Sequence, residues 1–146
     1  CGKSNDKMKL KCTGEAETRE TGRRLGKVLK RGDVVCLYGE LGAGKTTMVK
    51  GIASAIGIDE RDITSASFTI IAEYEAAVPF YHIDLYRVAA GEVAELGLHE
   101  YLGSDGIAVV EWAERAEAEM PDSCVRVRIK YMEEGAREIE IEGIEL

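Results

Sequence analysis

The chain has 146 residues, 45% hydrophobic and 32% charged, with a formal net charge of −8 and a pI near 4.9. That length suits one compact domain. No apolar run approaches the roughly 18 residues a membrane span needs, no basic-then-apolar leader is visible, and so acidic a chain lacks the basic footprint of independent nucleic-acid binding.

Cys1, Cys12, Cys36 and Cys124 are scattered without a Cys-x-x-Cys pair, and only His82 and His99 add imidazoles. No zinc site or disulfide framework is expected, and a reducing cytoplasm is the expected compartment.

Taken in chain order, residues 1–12 read as a loose N-terminal segment and residues 13–146 as a single domain. The basic residues bunched in 3–11 and 19–31 read as a loose terminus and a solvated helix face. Leu25, Val28 and Leu29 recur at helical spacing, with Gly32-Asp33 as terminator and turn. Val34-Val35-Cys36-Leu37-Tyr38 is apolar throughout, as in a strand covered on both faces.

Val49, Ile52, Ala53 and Ile56 then repeat at helical spacing, and Gly57 closes that element. Residues 68–74 and 78–83 read as consecutive strands, and residues 88–102 as one or two short helices. Ile107-Ala108-Val109-Val110 is another covered strand, followed by a helix over 112–119 that stops at Pro121. The tail alternates apolar Val125, Val127, Ile129 and Tyr131 with basic residues. After Glu134-Gly135, Ile139 and Ile141 alternate with glutamates, which predicts a hairpin with one wet face. The fold class expected is α/β: a mixed, mainly parallel sheet flanked by helices, of the phosphate-loop NTPase kind, with a C-terminal antiparallel hairpin.

Between the first covered strand and its helix lies Gly39-Glu40-Leu41-Gly42-Ala43-Gly44-Lys45-Thr46, followed by Thr47. This matches G-x-x-x-x-G-K-[ST] without a gap. Glycines let the backbone curl so that successive N–H groups point inward at phosphate oxygens. The helix opening at Lys45 offers unpaired N–H groups and a dipole that favours an anion. Lys45 can reach the β- and γ-phosphates, and the Thr46 hydroxyl can ligate Mg²⁺. The expected ligands are therefore a nucleoside triphosphate and Mg²⁺.

Hydrolysis also needs acids beside the loop. Asp84 ends Phe80-Tyr81-His82-Ile83, and Glu111 ends the strand at 107–110. Glu111 is expected to help hold Mg²⁺ and Asp84 to support the metal shell or the attacking water; the two roles are interchangeable at this stage. His82 reads as a packed strand residue, Trp112 as a core or interface aromatic. The hydroxyl-rich residues 65–69 lie where phosphate-sensing segments often fall.

"LYGELGAGKTT", "SASFTI", "YHIDLYRV", "ELGLHEYL" and "VVEWAER" together resemble the TsaE (YjeE) family, bacterial ATPases of tRNA threonylcarbamoyladenosine biosynthesis, over residues 15–137. The resemblance implies ATP and Mg²⁺ as ligands and places Thr46 and Glu111 at metal positions and Asp84 at an essential acid. It also sets Glu15 and Arg137 where the family contacts nucleotide. It implies work with TsaB-like and TsaD-like proteins, ATP hydrolysis resetting that complex, and tRNA met only through the partners. The chain departs from the family's Ser-Pro-Thr with Ser65-Ala66-Ser67, which leaves that segment less restricted.

Three other readings stand beside this one. A small-molecule kinase would need a lid and an acceptor pocket, and no arginine-rich insertion is present. A GTP-driven switch would need Asn-Lys-x-Asp, and Asn5 is the sole asparagine. A nucleotide-gated binding module with negligible turnover is the third.

Overall fold

The computed structural model describes residues 7–40, 44–63 and 70–146. Its elements run β1 (Lys7–Cys12), α1 (Glu15–Val28), β2 (Val34–Tyr38), α2 (Lys45–Ala55), β3 (Ile71–Tyr74), β4 (Phe80–Asp84), β5 (Ile107–Glu111), β6 (Val125–Tyr131) and β7 (Arg137–Glu142). Short 3-10 helices occupy Ala90–Leu96, Leu98–Glu100 and Ala113–Glu119. The strands form one seven-stranded sheet in the order β1-β7-β6-β2-β5-β4-β3. The pairings β6–β2, β2–β5 and β5–β4 are parallel, and antiparallel pairs flank them on either side. The mixed α/β sheet with a C-terminal hairpin thus agrees with the sequence reading.

Strands β2 and β5 are buried along their whole length, which is why their sequences lack alternation. Odd-numbered residues of β2 and β5, Val35, Leu37, Ile107 and Val109, pack with Met48 and Ile52 of α2, Leu25 of α1 and Phe80 of β4. Cys36, Ile83, Val110 and Leu85 build a second layer on the opposite face, with Val88, Val93 and Leu98 of the connecting segments.

Helices α1 and α2 approach so closely that three glycine positions in their contact have no room for a side-chain carbon. A Cβ at Gly51 would lie 2.1 Å from the Arg19 carbonyl oxygen, and one at Gly22 would lie 2.4 Å from that of Met48. At Gly26 a Cβ would meet the Ala55 methyl and the Ile52 carbonyl oxygen, both at 2.7 Å. Here the missing side chain matters more than backbone freedom.

The N-terminal expectation needs correction. Lys7–Cys12 is a strand, paired antiparallel with β7; residues 1–6 lie outside the described residues. The reason is visible in the register. Lys7, Lys9 and Lys11 stand opposite Glu142, Glu140 and Glu138. On the other flank of β7, Arg126, Arg128 and Lys130 oppose the same three glutamates. An acidic strand between two basic ones fixes both registers, since opposite charges across a pair are favourable and like charges are not. The basic residues of 7–11 are therefore strand residues facing carboxylates, rather than a loose tail.

Two smaller differences follow from local geometry. The helix expected at 112–119 begins at Ala113, because Trp112 has φ 58° and ψ 41°, and it is broken at Ala116. The first helix ends at Val28, with extended backbone at Leu29, before the turn at Gly32.

The glycine-lined contact generates a stability prediction. Gly51→Ala should destabilise the protein by about 2–3 kcal/mol or more, as overpacking against rigid backbone does, whereas Gly91→Ala, with nothing within 4 Å of its would-be Cβ, should change stability by less than about 0.5 kcal/mol. Urea unfolding of both variants beside wild type checks the difference.

Candidate functional site

Period-2 alternation and register decide what meets at the carboxyl ends of the central strands. Phe80, His82 and Asp84 share one face of β4. In the parallel pairing, Phe80 stands opposite Ile107, His82 opposite Val109 and Asp84 opposite Glu111. Since Phe80, Ile107 and Val109 pack in the α2-side layer, His82, Asp84 and Glu111 face that side too. The first turn of α2 brings Lys45 and Thr46 to the same place.

The contacts bear this out. Thr46 Oγ1 donates to Glu111 Oε1 at 3.4 Å, and His82 Nε2 lies 2.5 Å from Glu111 Oε2. Asp84 Oδ1 accepts from the Tyr86 amide at 2.9 Å, and the Glu111 carbonyl accepts from the Leu85 amide at 3.1 Å. The Lys45 ammonium donates to the carbonyls of Gly39 and Glu40, the latter at 3.1 Å. Its Nζ also sits 4.1 Å from the centroid of Trp112, whose ring packs on Tyr86 with centroids 5.1 Å apart. Trp112 is thus a wall of the site, set there by a left-handed backbone that a bulky side chain rarely adopts.

Lys45, His82, Asp84 and Glu111 are all buried. Burial raises the proton affinity of Asp84, and the neighbouring Glu111 adds to it; the Tyr86 amide, His82 and Lys45 oppose the shift. Burial also lowers the pKa of Lys45, against the pull of Glu111, Glu114, Asp84 and Glu40. One buried cation is thus balanced against two buried carboxylates, Asp84 and Glu111, an arrangement that functional sites build at the expense of stability.

On the other side of the loop, Gly44 has φ 105°, a conformation favouring glycine. A Cβ there would lie 3.0 Å from Arg137 Nε and 3.6 Å from the Thr18 methyl. Arg137 of β7 therefore lies beside Gly44, donating to the Gly135 carbonyl at 2.8 Å. Glu15 is exposed in the first turn of α1, one turn before Thr18. Glu40 is exposed and Thr47 half-buried. Leu41, Gly42 and Ala43 lie outside the described residues, as do residues 65–69 with the Ala66 departure.

Chemically, the cluster offers a hydroxyl and two carboxylates, the hard oxygen set that suits Mg²⁺, beside a cation and a helix N-terminus that suit phosphate. Among the described residues, no group of three or more His, Cys, Asp or Glu side chains is placed to hold a metal by itself. The bond between His82 and Glu111 was not foreseen. Its signal was present, since His82 precedes Asp84 by two residues in a strand and so shares its face.

The raised proton affinity of Asp84 gives a pH prediction. A carboxyl whose folded-state pKa lies above its unfolded value favours folding at low pH, and that contribution is lost as pH rises through the folded pKa. In protein without nucleotide or metal, Asp84→Asn should therefore have a higher Tm than wild type at pH 7. The gap should narrow towards about pH 4, where ordinary carboxyls protonate. Thermal melts across that range, followed by circular dichroism, test this.

A family model described as "Threonylcarbamoyl adenosine biosynthesis protein TsaE" matches residues 12–139. A TsaE protein of Treponema pallidum is 38% identical over 135 residues, covering 90% of this chain and 99% of that protein. One of Bacillus subtilis is 40% identical over 133 residues, covering 90% of this chain and 83% of its own length. The crystal structure of YdiB from Bacillus subtilis superposes with a TM-score of 0.80 at 36% identity, covering 96% of this chain and 87% of that one. With the model match spanning nearly the whole chain, the protein belongs to the TsaE family.

Proposed function

We propose that the protein binds ATP with Mg²⁺ at the loop between β2 and α2, hydrolyses it, and so supports tRNA threonylcarbamoyladenosine biosynthesis, the process named in its relatives' descriptions. The observation that carries this reading is the convergence of Lys45, Thr46, Asp84 and Glu111 at the carboxyl ends of β2, β4 and β5. Loop amides of residues 39–44, the N-terminus of α2 and Lys45 would bind the phosphates. Thr46 Oγ1 and Glu111 Oε1 would hold the metal together with water and phosphate oxygens, as Mg²⁺ sites do. The bound ion supplies charge neutralisation on the phosphoryl oxygens. Asp84, held by the Tyr86 amide, orients water or the metal's hydration shell. Glu15 and Arg137 flank the nucleotide, and Trp112 and Tyr86 keep bulk water from Lys45.

Hydrolysis serves a complex with TsaB-like and TsaD-like proteins in the cytoplasm, resetting it between rounds, while tRNA contacts the partners. A net charge of −8 suits a subunit that touches protein rather than RNA.

Two measurements test this. With labelled ATP, wild type should release free phosphate, faster when the partners are present, and a labelled organic product would indicate a kinase instead. Asp84→Asn, Glu111→Gln and Lys45→Ala should each lower turnover at least about 100-fold, about 2.7 kcal/mol in barrier. In reconstituted tRNA modification, Lys45→Ala should fail where wild type succeeds; equal activity would overturn the assignment.

A further inference from the structure

We infer that His82 is a positioning residue: its Nε2–H holds one oxygen of Glu111 so that the other is presented towards Thr46. The inference rests on the nucleotide-and-Mg²⁺ reading above.

A carboxylate at the end of a strand has two equivalent oxygens and a freely turning terminal torsion. In this site the oxygens are not equivalent. Oε2 lies 2.5 Å from His82 Nε2, and Oε1 lies 3.4 Å from Thr46 Oγ1. Both side chains of the His82–Glu111 pair are 3% exposed, so water does not compete for the bond. A short hydrogen bond to a carboxylate shielded from water is among the stronger kinds.

Glu111 has a competing partner close by. Lys45 is buried in the same cluster, and pairing with it directly would require the carboxylate to rotate from its present contacts. The imidazole opposes that rotation. An apolar residue at position 82 would serve the packing of β4 as well, because Phe80 on the same face is fully buried among hydrophobic side chains. A buried imidazole is useful there because it has a donor that reaches Glu111.

A donor that fixes the oxygen behind a metal-holding carboxylate orients the other oxygen, and removal of such partners typically weakens metal affinity by about 10–100-fold. The inference requires one tautomer, with the proton on Nε2, the nitrogen that faces the carboxylate.

The test measures binding of a non-hydrolysable ATP analogue by calorimetry, in Mg²⁺ and in EDTA, for wild type, His82→Phe and His82→Gln. Phenylalanine fills the buried space without a donor; glutamine restores an N–H that can reach Glu111. His82→Phe should lose roughly 10-fold or more of the Mg²⁺-dependent gain in affinity while its affinity in EDTA stays at the wild-type level, and His82→Gln should recover much of that gain. In a Glu111→Gln background the His82→Phe change should have no further effect, as expected when one residue acts through the other.

Equal Mg²⁺ gain in wild type and His82→Phe would overturn the inference and leave the nucleotide reading intact. A wild type with no Mg²⁺ gain at all would instead overturn that reading. Should His82→Phe fail to fold, ¹⁵N spectra of histidine-labelled wild type decide the matter. A protonated Nε2 supports the inference, and a bare Nε2 overturns it.

Discussion

The contact between α1 and α2 is the constraint on which the site depends. Three glycines, Gly22, Gly26 and Gly51, replace side chains where backbone meets backbone. Hydrophobic burial alone would allow these helices to pack at the usual 8–10 Å between axes. The glycines remove the spacers, so the N-terminal turn of α1 is drawn beside the loop and Thr18 reaches the neighbourhood of Gly44. With α1 in that place, β1 and β7 follow, and Arg137 arrives at the loop from the far side of the hairpin. The wall beside the glycine-rich loop is thus built by residues distant in sequence, and it holds its shape through contacts that tolerate little change.

Opposite that wall, the carboxyl ends of β4 and β5 impose a different kind of order. Parallel pairing sets Asp84 directly beside Glu111, two acids on one face out of water. Like charges so placed repel, and burial penalises each of them. The raised proton affinity of Asp84 and the lowered one of Lys45 record that tension. His82, Lys45, Thr46 and the Tyr86 amide are the groups that offset it. Charges held out of water in fixed positions are the kind of arrangement that electrostatic preorganisation requires.

Much of this was legible in the amino-acid order. The covered strands β2 and β5, the helix opening at Lys45, the two strand-end acids and the alternating hairpin all announced themselves by local period and by the glycine-rich match. What was not legible depended on pairing across distance. Lys7–Cys12 looked like a basic tail, because its alternation of Lys with Met8, Leu10 and Cys12 is short. Its meaning lies in Glu138, Glu140 and Glu142, more than a hundred residues later. The glycines of α1 lower helix propensity when read locally, and only the partner helix explains them. The spacing of His82 put it on the face of Asp84, but its bond to Glu111 joins two strands whose register no single stretch reveals. Trp112 read as the start of a helix, since nothing local tells a left-handed backbone from a right-handed one.

The place of β1 has a consequence for how the chain comes off the ribosome. Strand β1 pairs with β7, the last of the seven in chain order, and β2 lies between β5 and β6, both encoded far downstream. Until residues 125–142 have emerged, the opening segment has no sheet partner, and β2 lacks its neighbour on one side. Folding of such a topology must wait for distant pairings, which slows it and leaves apolar edges exposed meanwhile. The row of lysines on β1 then acts as a guard, because charged side chains on a waiting strand discourage it from annealing to another nascent copy. Loss of β7 by premature termination would unseat β1 as well, so the two strands stand or fall together.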